Sequence, residues 1–190
     1  MILPEDYQQL QSLPDDPKGS VTYGKQTDSA VCIATLFQVS PEEAMDFNGK
    51  SDLIEGIHRT LAENQALIEV DAGIRKSGFP YIYSLIKTHT EEGVQYFLLM
   101  HLKMPSFIAA VRAFFIESGI TGLRDATVYE LYSREHPDFN PDEWFYDPYD
   151  PELKDCYRMN IAEQEQYDEL FPDHPLSQCR RIIRHFKENI

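Results

Sequence analysis

Between residues 66 and 103 the chain runs through three strand-patterned segments in succession, with no helical spacing between them. Ala66, Ile68, Val70, Ala72 and Ile74 alternate with Glu69, Asp71 and Arg75, the period of two that marks a half-exposed strand. Two further apolar runs, 81–88 and 94–103, follow after Gly78 and Pro80. They are joined by His89-Thr90-Glu91-Glu92-Gly93, whose length and terminal glycine suit a hairpin loop. Strands joined this closely pair antiparallel, because a parallel neighbour needs a long crossover. Both faces of the second and third strands carry bulk. Ile82 and Ile86 oppose Tyr81, Tyr83 and Leu85; Leu98 and Met100 oppose Phe97 and Leu99. A sheet apolar on both sides needs cover on both sides.

The flanking segments supply candidate partners. Residues 20–26 and 29–38 read as two strands around a Gln26-Thr27-Asp28-Ser29 turn. Ser40, Pro41, Glu42 and Glu43 signal the start of a short helix that Asn48-Gly49 ends. Ser51 caps a second helix with Leu53, Ile54, Ile57 and Leu61 on one side. A third helix is expected from Pro105 or Ser106 to Ser118-Gly119, its Phe107, Ile108, Val111, Phe114 and Phe115 covering one face of the sheet. Further helices are expected over 122–134, over 161–170 (where Asn160 and Glu163 have capping-box spacing) and from Pro175 onward. The fold class is therefore α+β: an antiparallel sheet flanked by helices, an α/β/α sandwich, with a C-terminal helical extension. Residues 1–19 form a polar lead-in, 20–135 a core domain, and 136–190 an acidic aromatic segment and C-terminal helices packed on the core.

A formal charge of -15 repels nucleic acid and anionic membrane surfaces and favours a basic partner or a metal ion. The N-terminus lacks a basic segment followed by an apolar core, and no apolar run suits a membrane span, so a cytoplasmic protein is expected. Cys32, Cys156 and Cys179 are widely spaced and odd in number, which fits a reducing compartment rather than a disulfide framework or a zinc ribbon. The six histidines show no HxH, HxxxH or HExxH spacing, so no metal is expected. No GxSxG occurs, and the 32 acidic residues cannot be paired from sequence into a catalytic dyad. No catalytic residue and no cofactor are expected.

Residues 44–51, AMDFNGKS, have relaxed Walker A spacing, with Lys50 and Ser51 where a nucleotide binder would use them and Asp71 as a magnesium ligand. Three features oppose a phosphate loop: a helix start inside the motif, the acids Glu42, Glu43 and Asp46 beside it, and the consecutive strands of 66–103. The more distinctive stretch is 137–153, PDFNPDEWFYDPYDPEL, which holds the only tryptophan. On one reading Trp144, Phe145, Tyr146 and Tyr149 anchor a protein partner, a basic one, with Asp142, Asp147 and Asp150 as its rim. On the other, the aromatics fold back as an intramolecular strap tying the last helices to the sheet. Calcium at Asp147, Asp150 and Glu152 does not have EF-hand spacing. A small-ligand carrier lined by Tyr81, Tyr83, Phe97 and His101 is a third reading.

The order of elements over residues 20–118 resembles the Mog1/PsbP-like α/β/α sandwich. The segments GLRDATVYE at 122–130, DPYDPELKD at 147–155 and NIAEQEQYDELFPDHPLSQCRR at 160–181 resemble uncharacterised proteins of Gram-positive anaerobic bacteria. The first resemblance implies a protein-binding or assembly factor rather than an enzyme. Neither transfers a functional residue. The sequence thus reads as a non-enzymatic interaction or assembly module.

Overall fold

In the computed structural model, which describes residues 3–11, 16–154 and 156–189, the chain runs through β1 (Gln8–Gln9), β2 (Val21–Gln26), β3 (Ala30–Val39), α1 (Lys50–Thr60), β4 (Gln65–Ile74), β5 (Pro80–Thr90), β6 (Gly93–Lys103), β7 (Ile108–Glu117), α2 (Leu123–Glu135), β8 (Phe145–Tyr146), β9 (Met159–Asn160) and α3 (Pro175–Asn189). Pro14 of the lead-in and Asp155 of the acidic stretch lie outside the described residues. Strands β1 to β7 form one sheet in the order β1-β2-β3-β7-β6-β5-β4, every adjacent pair antiparallel, and β8 pairs with β9 separately. The architecture is the α+β antiparallel sheet with helices and a C-terminal helix that the sequence predicts.

The expected helix over 105–118 is instead the central strand β7, hydrogen-bonded to β3 on one side and β6 on the other. Its residues are apolar on both faces, and a run of that kind satisfies helical and strand spacing alike. Pairing on both edges decides the matter, because it satisfies every ladder group of a ten-residue strand. The short helix expected after Ser40 is one turn, closed by Ala44 N to Ser40 O at 3.1 Å and not propagated. The 89–93 loop is shorter than expected: Thr90 and Gly93 already pair, and Gly93 takes the turn at φ 134.

On the inner face, Ala30, Cys32, Ala34 and Leu36 of β3, Val111, Ala113 and Phe115 of β7, and Tyr96, Leu98 and Met100 of β6 are buried beneath α3. The helix contributes Leu176, Cys179, Ile182, Ile183 and Phe186, each worth about 1.5–3 kcal/mol on burial for the larger side chains. The alanines keep the sheet surface shallow where the helix axis approaches. The lead-in is partly core: Leu3 and Tyr7 are buried in the same cluster.

A layer of buried charge fastens residues 160–170 to the sheet. Glu163 accepts from Lys87 Nζ at 2.8 Å, Tyr96 Oη at 2.7 Å and its own Asn160 N at 2.8 Å. Arg124 of α2 donates to Ala162 O, Gln164 O, Ser177 Oγ and Asp168 Oδ1, while Arg180 of α3 donates to Glu163 O and Asp168 Oδ1. These guanidiniums take the carbonyls that an α-helix would use. The segment therefore forms two short 3-10 helices, Ile161–Glu163 and Glu165–Leu170, in place of the expected α-helix.

Candidate interaction face

Among the described residues the second face of the sheet is covered by α1 with Tyr149, by residues 41–48 and, over β2, by Leu10 on Gly24 and Asp16 on Thr22. Leu53, Ile54, Ile57 and Leu61 of α1 pack on Leu67 and Val70 of β4 and Ile86 of β5. At one end, residues 41–48 approach β6, where Met45 N donates to His101 Nδ1 at 2.9 Å; burial pushes the His101 pKa down, so that nitrogen remains an acceptor.

Beyond those covers the face carries an apolar row. Ile33, Phe114 and Phe97 lie in register across β3, β7 and β6, and the two phenylalanine rings are 4.9 Å apart. Phe97, Phe114, Leu99, Ile116 and Val31 are half-buried, and Ile33 is 36% exposed. The row continues over β2, where Leu10 rests on Gly24, the register partner of Ile33; a β-carbon there would stand 2.8 Å from Leu10 Cδ1. Arg112 sits within this surface between Thr35 and Leu99, with its guanidinium 5.7 Å from the Phe37 ring centroid. Of this row the sequence reading singles out only Phe97, as a lining residue of a small-ligand site, and neither Ile33 nor Phe114. The signal was there, since both faces of these strands read as apolar, but the expected third helix was counted as the missing cover.

The aromatic residues of 142–150 part company. Trp144 is buried on Val128 of α2, with Tyr129 edge-on at 5.0 Å and Phe139 at 6.4 Å. The Tyr146 hydroxyl accepts from Gln164 Nε2 at 3.1 Å. Tyr149 crosses the β4 edge to bind the Val70 backbone. Asp147 is also buried: Oδ1 accepts from Tyr149 N and Asp150 N, both at 2.9 Å, and Oδ2 lies 3.2 Å from His58 Nε2. Phe145, 41% exposed, and Asp142 face solvent, while half-buried Asp150 accepts from Glu152 N at 3.0 Å. Beside them lies an open groove of about 790 Å³, reaching from Asp142 and Phe145 to Lys154 and Arg158.

The other sequence readings meet specific geometry. In the 44–51 loop, Asp46 already accepts from Asn48 N and Gly49 N at 2.9 Å each, and Lys50 Nζ is 3.7 Å from Asp71. The amides and the lysine that would hold a phosphate are thus turned on two aspartates, and no adjacent strands among the described residues run parallel. The carrier set is a correction. Tyr81 and Tyr83 belong to the inner core, whereas Phe97 and His101 lie on the second face, so strand alternation keeps the four from lining one cavity. Among the described residues no group of three or more histidines, cysteines and acids could hold a metal ion. No described helix is long and apolar enough to cross a membrane.

No protein-family model and no curated protein matches the sequence. Among solved structures the chain is similar to PA94 from Pseudomonas aeruginosa, a protein of unknown function, with 7% identity and a TM-score of 0.39 over 71% of this chain and 96% of that one. It is also similar to the Ran-binding protein Mog1p of Saccharomyces cerevisiae, with 10% identity and a TM-score of 0.38 over 67% of this chain and 75% of that one. No role is carried across from either.

Proposed function

We propose that this protein is a non-enzymatic interaction module that docks a protein partner on the uncovered half of its sheet. The observation that carries the reading is the row Ile33–Phe114–Phe97: three large apolar side chains in register, extended by Leu10 and packed under no helix. Covering such a surface removes apolar area from water at about 25 cal/mol per Å², which is the main driving force of association. A catalytic role has less support, because Lys87, Tyr96 and Asp125, whose titration is shifted by burial and by neighbouring charge, are held in the buried charge layer.

A photo-crosslinking side chain placed at Ile33 and, as a control, at exposed Glu130 tests the reading in cells that make the protein. A discrete adduct at position 33, lost when Phe114→Asp is added and absent at 130, supports it. Equal capture at both positions, or none at 33, sinks it.

A second reading rests on the groove beside Phe145. That side chain, with Asp142 and Asp150, is the accessible part of the acidic aromatic segment, and a basic peptide would meet it. Trp144, Tyr146, Tyr149 and Asp147 would support such a site from beneath. Loss of the position-33 adduct in Phe145→Ala, with the Phe114→Asp variant still binding, would move the site to this groove.

A further inference from the structure

Arg112 is a cation set among the apolar residues of the second face. With 32 acidic residues against 17 basic ones, carboxylates are abundant, and Arg59, Arg124, Arg134, Arg180, Arg181 and Arg184 all form ion pairs. Neither Arg112 nor Arg158 has one among the described residues, and of the two it is Arg112 that lies on the sheet face. Arg112 is half-buried, with its guanidinium 5.7 Å from the Phe37 ring centroid and with Thr35 on β3 and Leu99 on β6 as its register partners. Taking a cation partly out of water without a counter-charge is unfavourable, and an aromatic face recovers only part of that cost.

The geometry points to a partner of particular chemistry: an otherwise apolar protein segment that presents one carboxylate, its acid seated on Arg112 and its flanking side chains on Ile33, Phe114 and Phe97. This rests on the docking face proposed above and names what that face selects. The guanidinium offers a planar fork of donors to a carboxylate, and in a site that closes over it such a pair is stronger than in water. An entirely apolar segment would bury the cation unpaired, and a basic one would oppose it, so Arg112 sets both identity and register. A single carboxylate also suits a protein of charge -15, because a strongly acidic partner would be repelled before contact. A second copy of this chain in face-to-face symmetry would set one Arg112 near the other, which disfavours that occupant.

The test uses the purified full-length protein and short random peptides displayed on phage. Selected sequences are then measured by fluorescence anisotropy in three forms, with the acid, with glutamine and with lysine. The expected result is enrichment of peptides with Asp or Glu between apolar residues, weakened about tenfold or more by Arg112→Glu, retained in large part by Arg112→Lys, and restored on Arg112→Glu by the lysine peptide. Unchanged thermal midpoints show that the variants are folded. If Phe114→Asp abolishes binding and Arg112→Glu does not, the docking face stands and the carboxylate inference fails. Indifference to both changes, or no enriched peptide, overturns both. Concentration-dependent self-association abolished by Arg112→Glu would make a second copy the occupant and overturn the inference as stated.

Discussion

The hydroxyl of Tyr149 and the backbone of Val70 bind each other in both directions: Val70 N donates to Tyr149 Oη at 2.6 Å, and Tyr149 Oη donates to Val70 O at 3.2 Å. One side chain therefore satisfies both polar groups of an edge-strand residue beside the irregular pairing between Leu67 and Glu69. Tyr149→Phe keeps the ring in its cluster and removes both bonds. Loss of about 1–3 kcal/mol in urea unfolding is expected, with no change in capture at position 33. An unchanged midpoint would show that water replaces the hydroxyl at no cost.

The Lys87–Glu163 pair, both side chains 1% exposed, predicts a larger effect. Glu163→Gln leaves a buried ammonium without its counter-charge and weakens the acceptor for Tyr96 and Asn160 N. We expect a loss of about 3–5 kcal/mol. Calorimetry reads it directly, and a loss below 1 kcal/mol would show that the layer tolerates an uncompensated cation, about the range of an exposed pair.

Asp125 sets a pH dependence. Burial first, and then the charge of Glu163, raise its pKa from 3.8 to about 6, against the opposing pull of Lys87 and Asn160. Below the unfolded value both states hold the proton and there is no penalty. As pH rises from about 4 to 6 the unfolded chain ionises first, so stability falls by about 3 kcal/mol at most and then levels off. Asp125→Asn, whose amide oxygen can still accept from Asn160 Nδ2, should flatten that slope and raise the melting temperature at pH 7. Parallel stability curves for the two proteins between pH 4 and 7 would refute the assignment.

The three cysteines should react in sequence. Cys156 is exposed, whereas Cys32 and Cys179 are buried; burial pushes Cys32 up to about 11 and Cys179 also upward. Native protein treated with iodoacetamide should carry one adduct, on Cys156, and three after unfolding, as read by intact mass. Early labelling of Cys179 would mean that α3 leaves the sheet under native conditions.

The fold was legible where one pattern excluded the others. The alternation in 66–74 and the closely spaced runs that follow left only an antiparallel meander, and Ser51 with Leu53, Ile54 and Ile57 left only a helix. Residues 108–117 were not legible, because Ala109, Ala110 and Ala113 favour a helix and the run is apolar at both spacings; pairing with β3, some 70 residues earlier in the chain, is a tertiary decision. Residues 161–170 were misread for a related reason: the carbonyls that would have closed an α-helix bind Arg124 and Arg180, and no local pattern shows that. The apolar row across β3, β7 and β6 is illegible for the same reason. Once 108–117 became a strand, it removed a cover and added Phe114 and Arg112 to the face it had been expected to hide.

The two ends of the sheet differ from its open face. At one, among the described residues, β1 pairs through Gln8 and Gln9, with Leu10 N adding a bond to Thr22 O; at the other, β4 is interrupted and its Val70 is occupied by Tyr149. Neither margin offers a long ladder on which another chain could continue the sheet. Margins of this kind disfavour strand-by-strand growth, and on the proposed function association would fall instead on the open face, where one partner fills it. The molecule should form complexes of defined size even when its apolar row is bare.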